Sequence, residues 1–275
     1  MVIDAHVHFW KYNKKDLPWI DGNMKILQKN YLPEDIELTL KRNNVDGCIA
    51  IQAAPSELET RFLAELANTH SFVKKVVGWT DLRADDVEKK LTELKEYPAI
   101  AGIRHIVQDE ADDFLYDEKF RAGISLLREF GFTYDILIYP RQLNAAVDFV
   151  KMFPDQVFIL DHCAKPDINK KEMDQWRKGL TDLAMFPNVS CKVSGLITEA
   201  DWKNWSPADF YPYLDVVFEA FGIQRLMFGS DWPVMLLSGI YVQWKSLLEK
   251  YMENMLAEDK DQFFGLNAVR TYGIN

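Results

Sequence analysis

A chain of 275 residues suits one barrel domain, which commonly takes about 250 residues, and it is long enough to bury a large core. Hydrophobic residues make up 48% and charged residues 27%, ordinary globular values that argue against disorder. The formal net charge of −10 has no basic block to offset it, which argues against a nucleic-acid polyanion as partner and leaves a small molecule, even an anionic one held by local arginines, open.

The chain opens Met1-Val2-Ile3-Asp4-Ala5-His6, which reads as a buried strand over Val2–Phe9 with no basic leader or cleavage site. Lys11 to Lys29 is a long loop; Trp10, Tyr12 and Trp19 can wall a pocket there or simply anchor the loop. Next come a helix over Asp35–Asn43, a strand over Gly47–Gln52 and a helix over Ser56–Thr69, where Ser56 with Glu59 three residues on predicts a capping box. The alternation continues with strands at Val76–Leu82, Ile100–Val107, Tyr134–Tyr139, Val157–His162, Val189–Ser194 and Arg225–Gly229. Between and after these strands, helical patterns occupy Asp85–Glu96, Glu118–Phe130, Pro140–Phe153, Lys170–Phe186, Pro207–Phe221 and Tyr241–Met255. Eight strands alternating with eight helices predict an α/β fold, a closed (β/α)8 TIM barrel forming a single domain over residues 1–275. A doubly wound open sheet fits less well, because neither G-x-G-x-x-G nor G-x-x-x-x-G-K-[ST] is present.

Cys48, Cys163 and Cys191 are odd in number and widely spaced, so a disulfide framework is not expected and a reducing cytoplasm is. No apolar run approaches the roughly 20 residues that cross a bilayer, so no membrane partner is expected. Homo-oligomerisation stays open.

In a barrel of this kind, chemistry sits at the C-terminal strand ends. The first strand ends in His6 and His8, which share a side by parity, with Asp4 on that side one layer deeper. The fourth strand offers Arg104 and His105, the fifth is flanked by Tyr134, Asp135 and Tyr139, and the sixth ends in Asp161-His162. The seventh offers Lys192 and Ser194, and the eighth leads into Asp231. Two imidazoles on one inward face are hard to satisfy without a ligand, metal or charge partner. His70, past a helix end on the opposite face, reads as structural. Asp231 can be read as a helix N-cap, though a cap does not explain its convergence with three histidines. By parity Asp161 points away from the mouth, toward the helices. Lys165-Pro166 reads equally as a substrate contact or as solvated loop, Cys163 and Cys191 read as packing residues, and Trp79 as barrel wall.

The stretches Asp4-Ala5-His6-Val7-His8-Phe9-Trp10, Gly102-Ile103-Arg104-His105, Tyr134-Asp135, Leu160-Asp161-His162-Cys163-Ala164-Lys165-Pro166, Lys192-Val193-Ser194-Gly195-Leu196 and Phe228-Gly229-Ser230-Asp231-Trp232-Pro233 run in order along nearly the whole chain. In this set the sequence resembles the amidohydrolase superfamily. Within it, the sequence is similar to the amidohydrolase-2 branch of sugar lactonases (L-fucono- and L-rhamnono-lactonase-like) and 2-pyrone-4,6-dicarboxylate lactonase. His-x-His alone is a weak signal; the ordered set is a strong one. The chain departs from two-metal members, lacking a bridging lysine or acid on the fourth strand and a histidine on the fifth. The resemblance therefore implies either a single divalent ion such as Zn²⁺, held by His6, His8, His162 and Asp231, or catalysis without metal.

The implied reaction is hydrolysis of a sugar lactone or related cyclic ester, Asp231 taking a proton from the attacking water and the carbonyl oxygen being stabilised by His6, His8 or His162, by Arg104, or by a metal the histidines hold. Arg104, His105, Tyr134, Tyr139 and Lys192 are then candidate contacts to substrate hydroxyls or a carboxylate. A metal-dependent decarboxylase of the same branch and a barrel that only binds a sugar acid are the alternatives.

Overall fold

The computed structural model describes residues 1–274. Apolar runs too short for helices, rich in Val and Ile, form eight parallel strands paired in sequence order: β1 (Ile3–Val7), β2 (Gly47–Ile51), β3 (Val73–Gly78), β4 (Ile100–His105), β5 (Thr133–Ile136), β6 (Phe158–Leu160), β7 (Val189–Val193) and β8 (Leu226–Phe228). The ring is drawn together where Val7 bridges Trp232, just beyond β8. Around it lie α1 (Pro33–Arg42), α2 (Glu57–Thr69), α3 (Val87–Lys95), α4 (Glu118–Leu127), α5 (Leu143–Lys151), α6 (Asp174–Ala184), α7 (Pro207–Phe221) and α8 (Tyr241–Tyr251). The expected (β/α)8 barrel is present.

The strands are shorter than their apolar runs at the mouth, because β5, β6 and β8 give way to turns that carry polar side chains. The third strand begins at Val73 rather than Val76; Lys75 is accommodated there by donating to the Pro98 carbonyl at 3.1 Å. The capping box on α2 is half formed. Ser56 accepts from the Glu59 amide, whereas the Glu59 carboxylate turns back to accept from Ala53 and Ala54, both at 2.9 Å.

Ile3, Ala5, Ile49, Ile51, Val77, Ile159 and Met227 pack as the floor of the barrel. A segment with no counterpart in the sequence reading closes it from below: α9 (Ala257–Asp261), a π-helical turn over Gln262–Leu266, and α10 (Asn267–Tyr272). Gly265 permits this, since a Cβ there would meet the Met1 carbonyl oxygen at 1.9 Å. Ala268, Tyr272 and Ile274 join the floor cluster.

Candidate active site at the mouth of the barrel

The β1–β2 register shifts between Asp4 and Val7. This irregularity overrides simple parity. Asp4 accepts from the Ser230 amide and the Tyr241 hydroxyl, both at 2.9 Å, against α8, while His6 and His8 turn toward the interior. The expected common side for Asp4 and the histidines is therefore corrected. The His8 amide donates to Trp232 at 2.7 Å and the Asp231 amide to His6 at 2.9 Å, so β1 and the segment after β8 grip each other. Asp231 takes a left-handed backbone, φ 61°, which points its carboxylate into the mouth instead of capping a helix.

After β6 the chain makes a more unusual turn. His162, Cys163, Ala164 and Lys165 are all left-handed, with φ between 48° and 57°, and the Lys165 amide closes the turn on the His162 carbonyl at 2.8 Å. Each such non-glycine residue costs about 1–2 kcal/mol, a strain that concentrates at functional sites.

Three imidazole Nε2 atoms converge on Asp231 Oδ1, His8 at 3.2 Å, His6 at 3.7 Å and His162 at 3.9 Å. Each ring has its other nitrogen engaged: His8 with the Ile51 carbonyl at 2.8 Å, His6 facing Asp161 Oδ1 at 3.4 Å, and His162 with Ser194 Oγ at 2.8 Å. A carbonyl only accepts, so His8 Nδ1 carries a hydrogen and its Nε2 is the nitrogen turned to Asp231. His6 and His162 are fully buried and favour the neutral form, His162 lowered to about 4 chiefly by burial. Burial alone would raise Asp231, but His162, His8 and His6 outweigh it and hold the carboxyl well below the usual carboxylate range.

Beneath this cluster lies a buried charge network. Arg104 gives Nε and Nη2 to Gln52 Oε1 at 2.9 and 2.8 Å and Nη1 to Asp161 at 2.9 Å. Lys192 is fully buried between Asp135 and Asp161, and the Tyr272 hydroxyl donates to Asp135 from below.

The mouth therefore gathers His6, His8, His162, Asp231 and Arg104 but not the other candidates. Asp161 is inside the barrel, because the turn after Leu160 breaks the parity that sent it outward. Lys192 lies a layer too deep to touch a ligand in the cleft. His105 faces outward, accepting from Trp79 Nε1 at 3.1 Å and stacking on Phe114, and Tyr134 is buried among Phe120, Phe149 and Phe158; both follow from the parity of β4 and β5. Tyr139 stands at the rim beside Lys165. Ser194, offered by the seventh strand, supports His162; missed in the sequence were Gln52 as a support, and Gln108, Asp109 and Leu137 as cleft walls. Of these, only Gln52, a polar residue closing an apolar strand, carried a signal.

The cleft above the cluster opens to solvent and, with that open space included, measures about 440 Å³; Trp19, Gln108, Leu137, Lys165 and Val234 wall it. Trp19 is fixed by donating to the Ala53 carbonyl at 3.0 Å, so the long first loop does wall the pocket. The donor set suits one divalent ion. His8 Nε2 lies 3.1 Å from His6 Nε2 and 3.2 Å from a carboxylate oxygen, an arrangement that needs a proton or cation among the lone pairs. Oriented imidazoles converging with a carboxylate meet that need.

A family model described as amidohydrolase matches residues 3–274. The chain is 38% identical to an L-fucono-1,5-lactonase of Burkholderia multivorans over 99% of this chain and 96% of that one, and 35% identical to an L-fucono-1,5-lactonase of Burkholderia ambifaria with the same coverage. A crystal structure of a Burkholderia multivorans amidohydrolase with bound zinc superposes with a TM-score of 0.96 at 38% identity, covering all of both chains. No helix is long and apolar enough to cross a membrane among the described residues.

Proposed function

The chain belongs to the amidohydrolase family, and we propose that it hydrolyses a sugar lactone to the open hydroxy acid, with L-fucono-1,5-lactone the first substrate to try. The observation that carries this reading is the convergence of three imidazole nitrogens on Asp231 at the floor of an open cleft, in a chain so similar to named lactonases over its whole length.

In this reading a lactone enters past Trp19 and lies with its carbonyl carbon above Asp231. Asp231 Oδ1 accepts a proton from water, whose oxygen attacks the carbonyl. A carboxylate held this far below its usual range is a weak base, but lactones are activated acyl groups and need little base strength. The Nδ1 hydrogen bond to Ile51 fixes the His8 ring with Nε2 turned to Asp231. Arg104, locked by Gln52 and Asp161, supplies a fixed positive field beneath the developing oxyanion without moving during turnover. His6, His8, His162 and Asp231 would hold a divalent ion, and such an ion supplies Lewis-acid polarisation of the carbonyl.

A pH-indicator assay over a panel of sugar lactones tests the proposal. Acid release on L-fucono-1,5-lactone or a stereochemical relative is the expected result. CO₂ release from a carboxylated aromatic, with no lactone opened, contradicts it.

A further inference from the structure

Opening an alkyl lactone leaves an alkoxide that must gain a proton as the carbon–oxygen bond breaks, and the cleft offers few groups that can give one. His8 has its Nδ1 hydrogen on the Ile51 carbonyl, and its Nε2 faces Asp231 at 3.2 Å and His6 at 3.1 Å. Arg104 has Nε, Nη1 and Nη2 engaged below the cleft, and a guanidinium does not release a proton in a protein. Trp19 has its indole hydrogen on Ala53, and Asp231 is the acceptor from water. Lys165 is different. Its ammonium lies over the Tyr139 ring at 5.5 Å with Glu199 at 3.8 Å, too long for a hydrogen bond, so its N–H groups are free to reach a ligand. It lines the same cleft as Asp231 yet forms no ion pair with it among the described residues, so the two charges are not spent on each other. The left-handed turn that presents His162 also presents Lys165 to the cleft, so the strained backbone serves both.

We propose that Lys165 is a catalytic residue, the general acid that protonates the leaving ring oxygen. The inference rests on the lactonase reading. Water's oxygen bonds to the carbonyl carbon as its proton passes to Asp231. The bond from that carbon to the ring oxygen then breaks; the ring oxygen keeps the electron pair and takes a proton from Lys165 Nζ. Solvent restores the proton to the amine and removes the one on Asp231; the new carboxylic acid, which kept water's second hydrogen, then ionises, so one lactone and one water give a hydroxy carboxylate and one proton.

The test is steady-state kinetics of wild type, Lys165→Met, Lys165→Arg and Lys165→Ala on whichever sugar lactone the wild type turns over, with melting temperatures as the check on folding. A general acid of this kind contributes about 10²–10⁴-fold, so kcat should fall by that order in the Met and Arg variants while KM changes little. Arginine keeps the charge but cannot give the proton. Added ethylammonium should restore part of the kcat of the Lys165→Ala variant. Retained kcat with a raised KM, or rescue by arginine, overturns the assignment and leaves Lys165 a binding residue. A wild type that opens no sugar lactone overturns the lactonase reading first, and is told apart because it is read before any variant.

Discussion

A Cβ on Gly195 would lie 2.6 Å from His162 Nδ1. The residue also takes φ 66°, so glycine is needed there both for the backbone and for the imidazole that packs against it. Gly195→Ala should cost about 1–3 kcal/mol in stability and, by pushing His162 off Ser194 and away from Asp231, lower kcat at least tenfold. Chemical denaturation and steady-state assays on one preparation check this. Stability loss with unchanged kcat would mean that His162 has room to adjust.

Ser194 stands behind His162 as the partner of Nδ1, 2.8 Å away. Groups in that position fix ring orientation and typically tune metal affinity by about 10–100-fold. Calorimetric titration of chelator-treated protein with Zn²⁺ should give one strong site, weakened by that order in Ser194→Ala and lost when His6 or His8 becomes alanine. Equal uptake by wild type and the histidine variants would remove these residues from any metal site.

Glu59 shows how the supporting shell couples to pH. Burial raises its carboxyl from 4.5 to about 7, despite the hydrogen bonds from Ala54 and Ala53. Between those values the folded chain holds a proton that the unfolded chain has released, so this group's contribution makes stability fall as pH rises through the window and leaves its full cost above it. Glu59→Gln removes the ionisation while its amide oxygen can still accept from both amides. The melting temperature of the variant relative to wild type should climb from pH 4.5 to pH 8; a constant difference would show that Glu59 does not titrate in that window.

The fold was legible because the repeat of short apolar runs and amphipathic stretches is set by burial on both faces of every strand. His6, His8, His162, Arg104 and Asp231 were legible as polar residues at strand ends. What failed was parity wherever the backbone departs from an ideal strand: the register shift in β1 put Asp4 on the outer side, and the left-handed turn after Leu160 drew Asp161 inward. His105 and Tyr134 were misjudged for the complementary reason, since β4 and β5 are regular there and turn both side chains outward. The closing segment Ala257–Tyr272 was invisible because it plugs the floor, and nothing in its own periodicity says what lies above it.

The most direct measurement is proton release from L-fucono-1,5-lactone by wild type and Asp231→Asn, each with its melting temperature. Asparagine preserves the size of the side chain and removes the proton acceptor on which all three imidazoles converge. Turnover by the wild type, lowered about 10²–10⁴-fold in a variant that melts like it, is the expected result. Near-normal turnover in folded Asp231→Asn would contradict the assignment of this cluster as the hydrolytic centre.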